Sequence, residues 1–347
     1  MSSRDRGPSP EPLPGGRPQA GGGPFVVGDR VQLTDPKGRP HSVTLAAGGQ
    51  YFTHKGSIDH DLLIGLAEGS VVTTSGGVDH VALRPLLEDF VLAMPRGAAV
   101  VYPKDAAQVV AFADVFPGAT VLEAGAGSGA LSCFLLRAVG DGGRVLSVER
   151  RADFAAVAAR NVAAFFGAAH PAWELVVGDL VETIGSGSTG PVDRVVLDML
   201  APWECVDAVG TVLRPGGVVL AYVATTTQLS QVVEALRSHG GFTEPRPWES
   251  TLRTWHVEGL AVRPDHRMIG HTGFLVTARR LAPGVTASER RRRPVSKASA
   301  DAARHDAAAP AVEDPAVEDP AVDPAPDTAE VTGAEAQVAG PGDDPAG

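Results

Sequence analysis

Between residues 119 and 223 the chain alternates short apolar, β-branched runs with stretches of helical period. Strand patterns lie at 119–125 (ATVLEAG), 144–149 (RVLSVE), 173–179 (WELVVGD), 193–198 (DRVVLD) and 218–223 (VVLAYV). Helical patterns fall at 130–139, 152–166, 204–213 and 228–239. Strands this apolar are covered on both faces, and their alternation with helices predicts an α/β fold around a mostly parallel sheet. Two late strand patterns, near 254–261 and 273–279, have no strong helix between them and predict an antiparallel addition at the end.

Residues 25–95 read differently. FVVGDRVQLT, HSVTL, SVVTTS and DHVALRP are short β-like runs between Gly-containing turns, which predicts a small N-terminal β-module. Helical patterns at 86–94 and 106–116 lead into the α/β region. Residues 1–24 and 283–347 lack the apolar surface needed to offset ordering entropy and are expected to be disordered. The domain expectation is therefore a tail at 1–24, a β-module at 25–95, an α/β domain at 96–282 and a basic-then-acidic tail at 283–347.

The overall charge of −11 says little about partners. Residues 301–347 hold twelve acids and one base, so residues 1–300 carry 29 of each. Acidity does not exclude a nucleic-acid partner, and the neutral core gives it no support. Cys133 and Cys205 have neither metal-ligand spacing nor a disulfide framework, so no metal is expected. No signal-peptide pattern opens the chain, and no apolar run approaches the ~20 residues that span a bilayer, which points to a cytoplasmic protein.

VLEAGAGSGALS, residues 121–132, is a glycine loop between a strand and a helix. Gly125, Gly127 and Gly129 permit a tight turn and close backbone approach to a ligand. Alone, the loop could be structural, and it even fits a permissive dinucleotide pattern. Glu149 ends the next strand, 20 residues after Gly129, where a carboxylate can hold both ribose hydroxyls. Gly178 and Asp179 close the third strand at the height of an adenine ring, and Asp198 closes the fourth. Any one of these aspartates could be a helix cap. Together with Glu123 they line one crevice that suits a cation and disfavours a pyrophosphate. S-adenosylmethionine, with its sulfonium and ammonium, fits that charge. ExGxGxG and LRPGG (213–217) also resemble the class I methyltransferase signature.

YFTHKGSIDHDLLIG (51–65), VVTTSGG (71–77), LRP (83–85), VVYPKD (100–105), LEAGAGSGALS (122–132) and LDMLAPW (197–203) resemble the tRNA (adenine-58-N1)-methyltransferases of bacterial, actinobacterial-like type. The resemblance spans about residues 25–280. It implies a class I methyltransferase Rossmann-like domain at 96–282, S-adenosylmethionine as cofactor, the T-loop of tRNA as partner and a homotetramer. By the same resemblance, Gly125 through Leu131 (including Ser128, Gly129 and Ala130) would line the methionine and ribose, Glu149 the ribose hydroxyls, and Phe154 the nucleoside. Asp179 would bond the adenine amino group of the cofactor. Asp198 would sit between methyl donor and target base, with Tyr102 beside the target adenine.

The implied chemistry is consistent with these residues. A carboxylate accepting from the exocyclic amino group fixes which edge of adenine faces the methyl and stabilises the positive charge that develops. The base must be extruded from its stack, and Tyr102 is the candidate to receive it, an ordinary packed tyrosine being equally in play. Lys104 could meet a phosphate or pair with Asp105. Trp203 and Cys133 read as packing residues, Cys205 as incidental, His266 and His271 as surface residues, and the arginines at 290–293 as a solvated linker. Two other activities stay open: methyl transfer to protein carboxylates or a small molecule, and tRNA binding without turnover.

Overall fold

A computed structural model of the chain describes residues 23–286. The expectations for residues 1–22 and 287–347, including the arginine run and the acidic repeat, lie outside the described residues.

The N-terminal module contains β1 (Arg30–Thr34), β2 (Pro40–Thr44), β3 (Gln50–Thr53), β4 (Gly56–Asp59), β5 (Val71–Thr73) and β6 (Asp79–Leu83). An antiparallel sheet runs in the order β2-β1-β6-β5, and β3 and β4 form a separate hairpin. Strict alternation puts Val31 and Leu33 of β1 and Ala82 of β6 inside, where they meet Phe25, Leu45, Ile58, Leu63 and Val72. A buried ion pair, Arg84 to Asp29 at 2.7 Å, ties the start of the module to its end. Arg84 also stacks over Phe25 and bonds Glu68, so neither charge is left unpaired. The β3–β4 hairpin has no counterpart in the sequence reading, because YFTHKGSID carries no clean alternation.

Two helices follow, α1 (Leu87–Ala93) and α2 (Pro103–Phe112). The second starts three residues before the expected 106, because Pro103 occupies the first helical turn, where its fixed φ and missing N–H cost nothing. The rest of the chain runs β7 (Thr120–Ala124), α3 (Ala130–Val139), β8 (Arg144–Glu149), α4 (Ala152–Phe166), β9 (Trp173–Val177), α5 (Leu180–Gly185) and β10 (Val192–Asp198). Then come α6 (Val206–Val212), β11 (Leu213–Val223), α7 (Thr226–His239), β12 (Arg246–Trp248), β13 (Trp255–Glu258), β14 (Ala261–Pro264) and β15 (Phe274–Arg279).

Seven strands form the main sheet in the order β12-β15-β11-β10-β7-β8-β9. β7 to β11 pair in parallel and β15 is antiparallel to both its neighbours. Successive residues of each strand feed opposite layers. Val121 and Val196 pack beneath α1–α4, while Leu122, Val195 and Leu197 pack beneath α5–α7. The chain moves outward from β7 through β8 to β9, then returns to β10 on the other side. Its order therefore reverses at β7, and the crevice at the β7/β10 strand ends is where such sheets bind ligands.

Two expectations fail here. Residues 254–261 are not part of the main sheet: β13 and β14 form their own hairpin, and β12 takes the edge beside β15. RPW reads poorly as a strand because of Pro247, yet an edge strand tolerates proline. LRPGG does not precede the fifth strand as a turn but forms a bulge within it. Val192 pairs Leu213 and then Arg194 pairs Val218, so the excess residues loop out.

Candidate active site

The glycine loop owes its path to its glycines. Gly125, Gly127 and Gly129 all have positive φ, at 87°, 54° and 82°. A Cβ on Gly125 would lie 1.7 Å from the carbonyl oxygen of Asp198, so the loop presses directly against the end of β10. Side chains then hold the loop in place. Glu149 accepts from Gly127 N–H at 2.9 Å through Oε2, and from Arg151 N–H at 3.0 Å through Oε1. Asn161 donates to the carbonyls of Ser128 and Pro95, both at 2.8 Å. Ser128 Oγ accepts from the N–H groups of Gly97 and Ala98 and donates to Ala98 O.

These bonds refine the expected roles. The Ser128 hydroxyl is spent on residues 97–98, and Ala130 and Leu131 point their side chains into the core. For these three positions, contact with a ligand falls to the backbone. No side chain caps α3, so its first N–H groups face the loop. Glu149 uses one lone pair on each oxygen and keeps acceptor capacity for two hydroxyls. Phe154 packs against Gly97, and Arg151 covers one face of its ring at 3.6 Å. Gly178 donates its N–H to Glu149 O, joining the ends of β8 and β9.

The acids at the strand ends differ in kind. Glu123 is wholly buried beneath the loop: Ser132 donates to its Oε2 at 2.7 Å, Ser147 bonds the same oxygen, and Oε1 has no partner. Burial pushes its carboxyl up to about 7, the two serines pulling the other way. Asp179 is a helix cap, its Oδ1 accepting from Val181 N–H at 2.8 Å and Glu182 N–H at 3.2 Å. Only its Oδ2, 3.6 Å from Arg150 Nε, is otherwise placed. Asp198 caps nothing. The 3-10 turn after it, Pro202–Cys205, is capped at Ala201, and the Asp198 carboxylate has no hydrogen-bond partner among the described residues. Burial first, then Glu123 and Glu149, pushes Asp198 up to about 7.

The far wall consists of Tyr102, which precedes the first turn of α2, and Tyr222, which pairs with Asp198 across β10 and β11. Burial first, then the nearby Asp105, Asp198 and Tyr102, raises the Tyr222 phenol, with the bond to Thr272 opposing. Lys104 meets Asp105 at 2.7 Å, so it is an ion-pair partner and not a phosphate contact. Pro202 is buried, Trp203 packs on the second core, and Gln228 of α7 holds Leu200 O at 3.0 Å. Cys133 and Cys205 are buried, and burial raises both thiols. His271 is exposed, as expected of a surface residue, and its ring nitrogens bond Glu249 and Ala224 O.

Asn161, Ser132, Ser147 and Tyr222 escaped the sequence reading. Asn161 had a signal, since it shares the buried face of α4 with Ala155, Ala158, Val162 and Phe165. A polar residue on such a face has to find buried partners.

The site fits a cationic ligand. Three carboxylates share it, one buried oxygen is orphaned, and no described cation pairs with Glu123 or Asp198. No cluster of side chains able to hold a metal occurs among the described residues.

Residues 23–72 match the family described as TrmI-like N-terminal, and residues 80–263 match the tRNA methyltransferase complex GCD14 subunit family. The tRNA (adenine(58)-N(1))-methyltransferase TrmI of Thermus thermophilus is 39% identical over 248 residues, covering 72% of this chain and 95% of the relative. The tRNA (adenine(57)-N(1)/adenine(58)-N(1))-methyltransferase TrmI of Methanocaldococcus jannaschii is 30% identical over 239 residues, 62% of this chain and 83% of the relative. Among solved structures, a SAM-dependent O-methyltransferase from Thermotoga maritima superposes with TM-score 0.70 at 30% identity, covering 78% of this chain and 96% of its own. The tRNA (m1A58) methyltransferase TrmI from Aquifex aeolicus gives TM-score 0.65 at 24% identity, covering 75% and 99%, a likeness of fold.

Proposed function

The chain belongs to the GCD14 family of tRNA methyltransferases, and on that premise we propose that it methylates N1 of adenine 58 in the T-loop of tRNA with S-adenosylmethionine. One observation carries the site assignment. Asp198 is a half-buried carboxylate without a protein partner, at a strand end pressed against a glycine loop.

S-adenosylmethionine, when bound, supplies a methyl group already activated on a sulfonium. Adenine N1 is a neutral nucleophile with a free lone pair, so the chemistry needs no covalent intermediate. What remains for the chain is alignment and stabilisation of the charge that develops on the base. Asp198 accepts from the exocyclic amino group, which selects the N1 edge and stabilises the methylated cation. Tyr102 receives the extruded base as a stacking surface.

Cofactor binding falls to the loop backbone from Gly125 to Leu131 and to Glu149, which holds the ribose hydroxyls. Phe154 lies beside the nucleoside, and Gly178 with Oδ2 of Asp179, which no N–H of α5 occupies, faces the adenine of the cofactor. Glu123 acts from beneath, as negative charge under the cationic end. Charge is the support for this assignment: three mutually repelling acids are relieved by a cation.

The domain division follows the same reading, with a β-module at 25–95 and a methyltransferase domain at 96–282. Separate hydrophobic cores support two bodies, but Leu87, Phe90, Val91 and Met94 pack into the core of the second, so α1 goes with the methyltransferase domain and the division falls nearer 86 than 95. A homotetramer is the assembly the family resemblance favours, and the apolar Trp255, Val257, Leu260 and Val262 exposed on the β13–β14 hairpin support an interface there. Action on tRNA supports the reading of a cytoplasmic protein. Asp198→Ala tests the assignment: turnover should collapse while tRNA affinity barely changes, and retained turnover would remove Asp198 from the chemistry.

A further inference from the structure

Asp105 lies in the first turn of α2 yet caps nothing. It is fully buried, and both its oxygens are committed to residues far away in the chain. Oδ1 accepts from Lys104 Nζ at 2.7 Å and from Ser250 Oγ at 3.1 Å, and Oδ2 accepts from Thr272 Oγ1 at 2.6 Å. Lys104 Nζ also donates to Ser250 O at 2.8 Å and Thr272 Oγ1 at 2.6 Å. Thr272 O in turn accepts from Tyr222 Oη at 2.5 Å. Tyr222 is the β11 neighbour of Asp198, and a Cβ on Gly273 would come within 2.4 Å of its ring. The other end of α2 is moored by the same stretch of chain: Trp248 Nε1 donates to Gln108 at 2.8 Å and its ring packs on Phe112 at 5.0 Å.

A buried ion pair of this kind seldom adds stability over apolar packing of the same volume. What it provides is direction, because each bond fixes one atom against another. The bonds run unbroken from the residues after Tyr102 to the strand beside Asp198.

We propose that Asp105, with Lys104 and Thr272, is a positioning clamp that holds the Tyr102 end of α2 against the β11/β15 segment and so sets the cleft between Tyr102 and Asp198. The inference rests on the reading of that cleft as the site of the target adenine. Neither Asp105 nor Thr272 touches the reacting atoms in this assignment. Their effect passes through the placement of Tyr102, and a misplacement of about 1 Å can cost about 100-fold in rate.

Thr272→Val tests it, because valine keeps the shape and deletes the hydroxyl that joins Lys104 to Asp105. The expected result is a fall of about 10- to 100-fold in kcat on tRNA, with little change in cofactor dissociation constant or in KM for tRNA; Tm falls because Asp105 Oδ2 loses its partner, but the variant stays fully folded at the assay temperature. Thr272→Ser should restore kcat, and hydrogen exchange across residues 103–112 should quicken in the valine variant alone. An unchanged kcat overturns the clamp, as does a loss that tracks the folded fraction and cofactor stoichiometry. If Thr272→Val does not fold, Ser250→Ala deletes the hydroxyl that bonds Asp105 at 3.1 Å and Lys104 at 3.4 Å and must show the same kcat-selective loss. An intact protein that makes no 1-methyladenosine would instead count against the substrate assignment, while the exchange measurement still reads the clamp.

Discussion

Asp179 and Asp198 follow or end strands that are consecutive in the chain, β9 and β10, and their surroundings separate their roles. Asp179 spends an oxygen on two N–H groups of α5, whereas Asp198 faces the crevice without a partner. The folded, cofactor-free protein holds Asp198 near 7, above 3.8, so between those values it binds more protons than the unfolded chain. The contribution of this group to stability is therefore complete below about pH 4 and is lost as pH climbs through 7. Asp198→Asn should raise Tm at pH 8, with the gain shrinking towards pH 5; a gain independent of pH would contradict the burial argument. In the role proposed for it the same carboxylate must be ionised to accept from adenine, so kcat/KM for the cofactor should rise with pH and level off above about 7. The asparagine variant should be flat and lower by about 100- to 1,000-fold. Gly125→Ala should abolish cofactor binding in calorimetry, because a Cβ cannot share space with the Asp198 carbonyl. Binding retained at the original affinity would mean that the loop can move.

At the scale of elements, the buried strands and long helices are legible in the sequence. α3, α4 and β8 occupy their expected residues, since each carries an uninterrupted period with clear stops. Legibility fails where tertiary contacts override local pattern. β12 forms despite Pro247 because Trp248 packs on Phe112, and the β3–β4 hairpin lacks an alternating signature. Site residues follow the same rule. The glycines and strand-end acids show in the sequence, and so does a local cap such as that of Asp179, but the loop bonds of Asn161 depend on where distant segments meet. The β13–β14 hairpin carries its own prediction. Val257→Asp with Val262→Asp should lower the assembly mass measured by light scattering, and an unchanged mass would place the interface elsewhere.

For the whole molecule, the neutral first 300 residues contrast with an acidic tail to which the proposed chemistry assigns no step. Removing residues 301–347 should leave kcat and KM for tRNA unchanged, and a large loss would give the tail a role in substrate binding. The central claim joins the cationic-ligand crevice, the family and the substrate. Its most direct measurement is incubation of the intact protein with unmodified tRNA and methyl-labelled S-adenosylmethionine, followed by nucleoside analysis and mapping. The account predicts 1-methyladenosine at position 58, lost when that adenine is replaced. Label absent from tRNA, or found instead on a protein carboxylate or a small molecule, would contradict it.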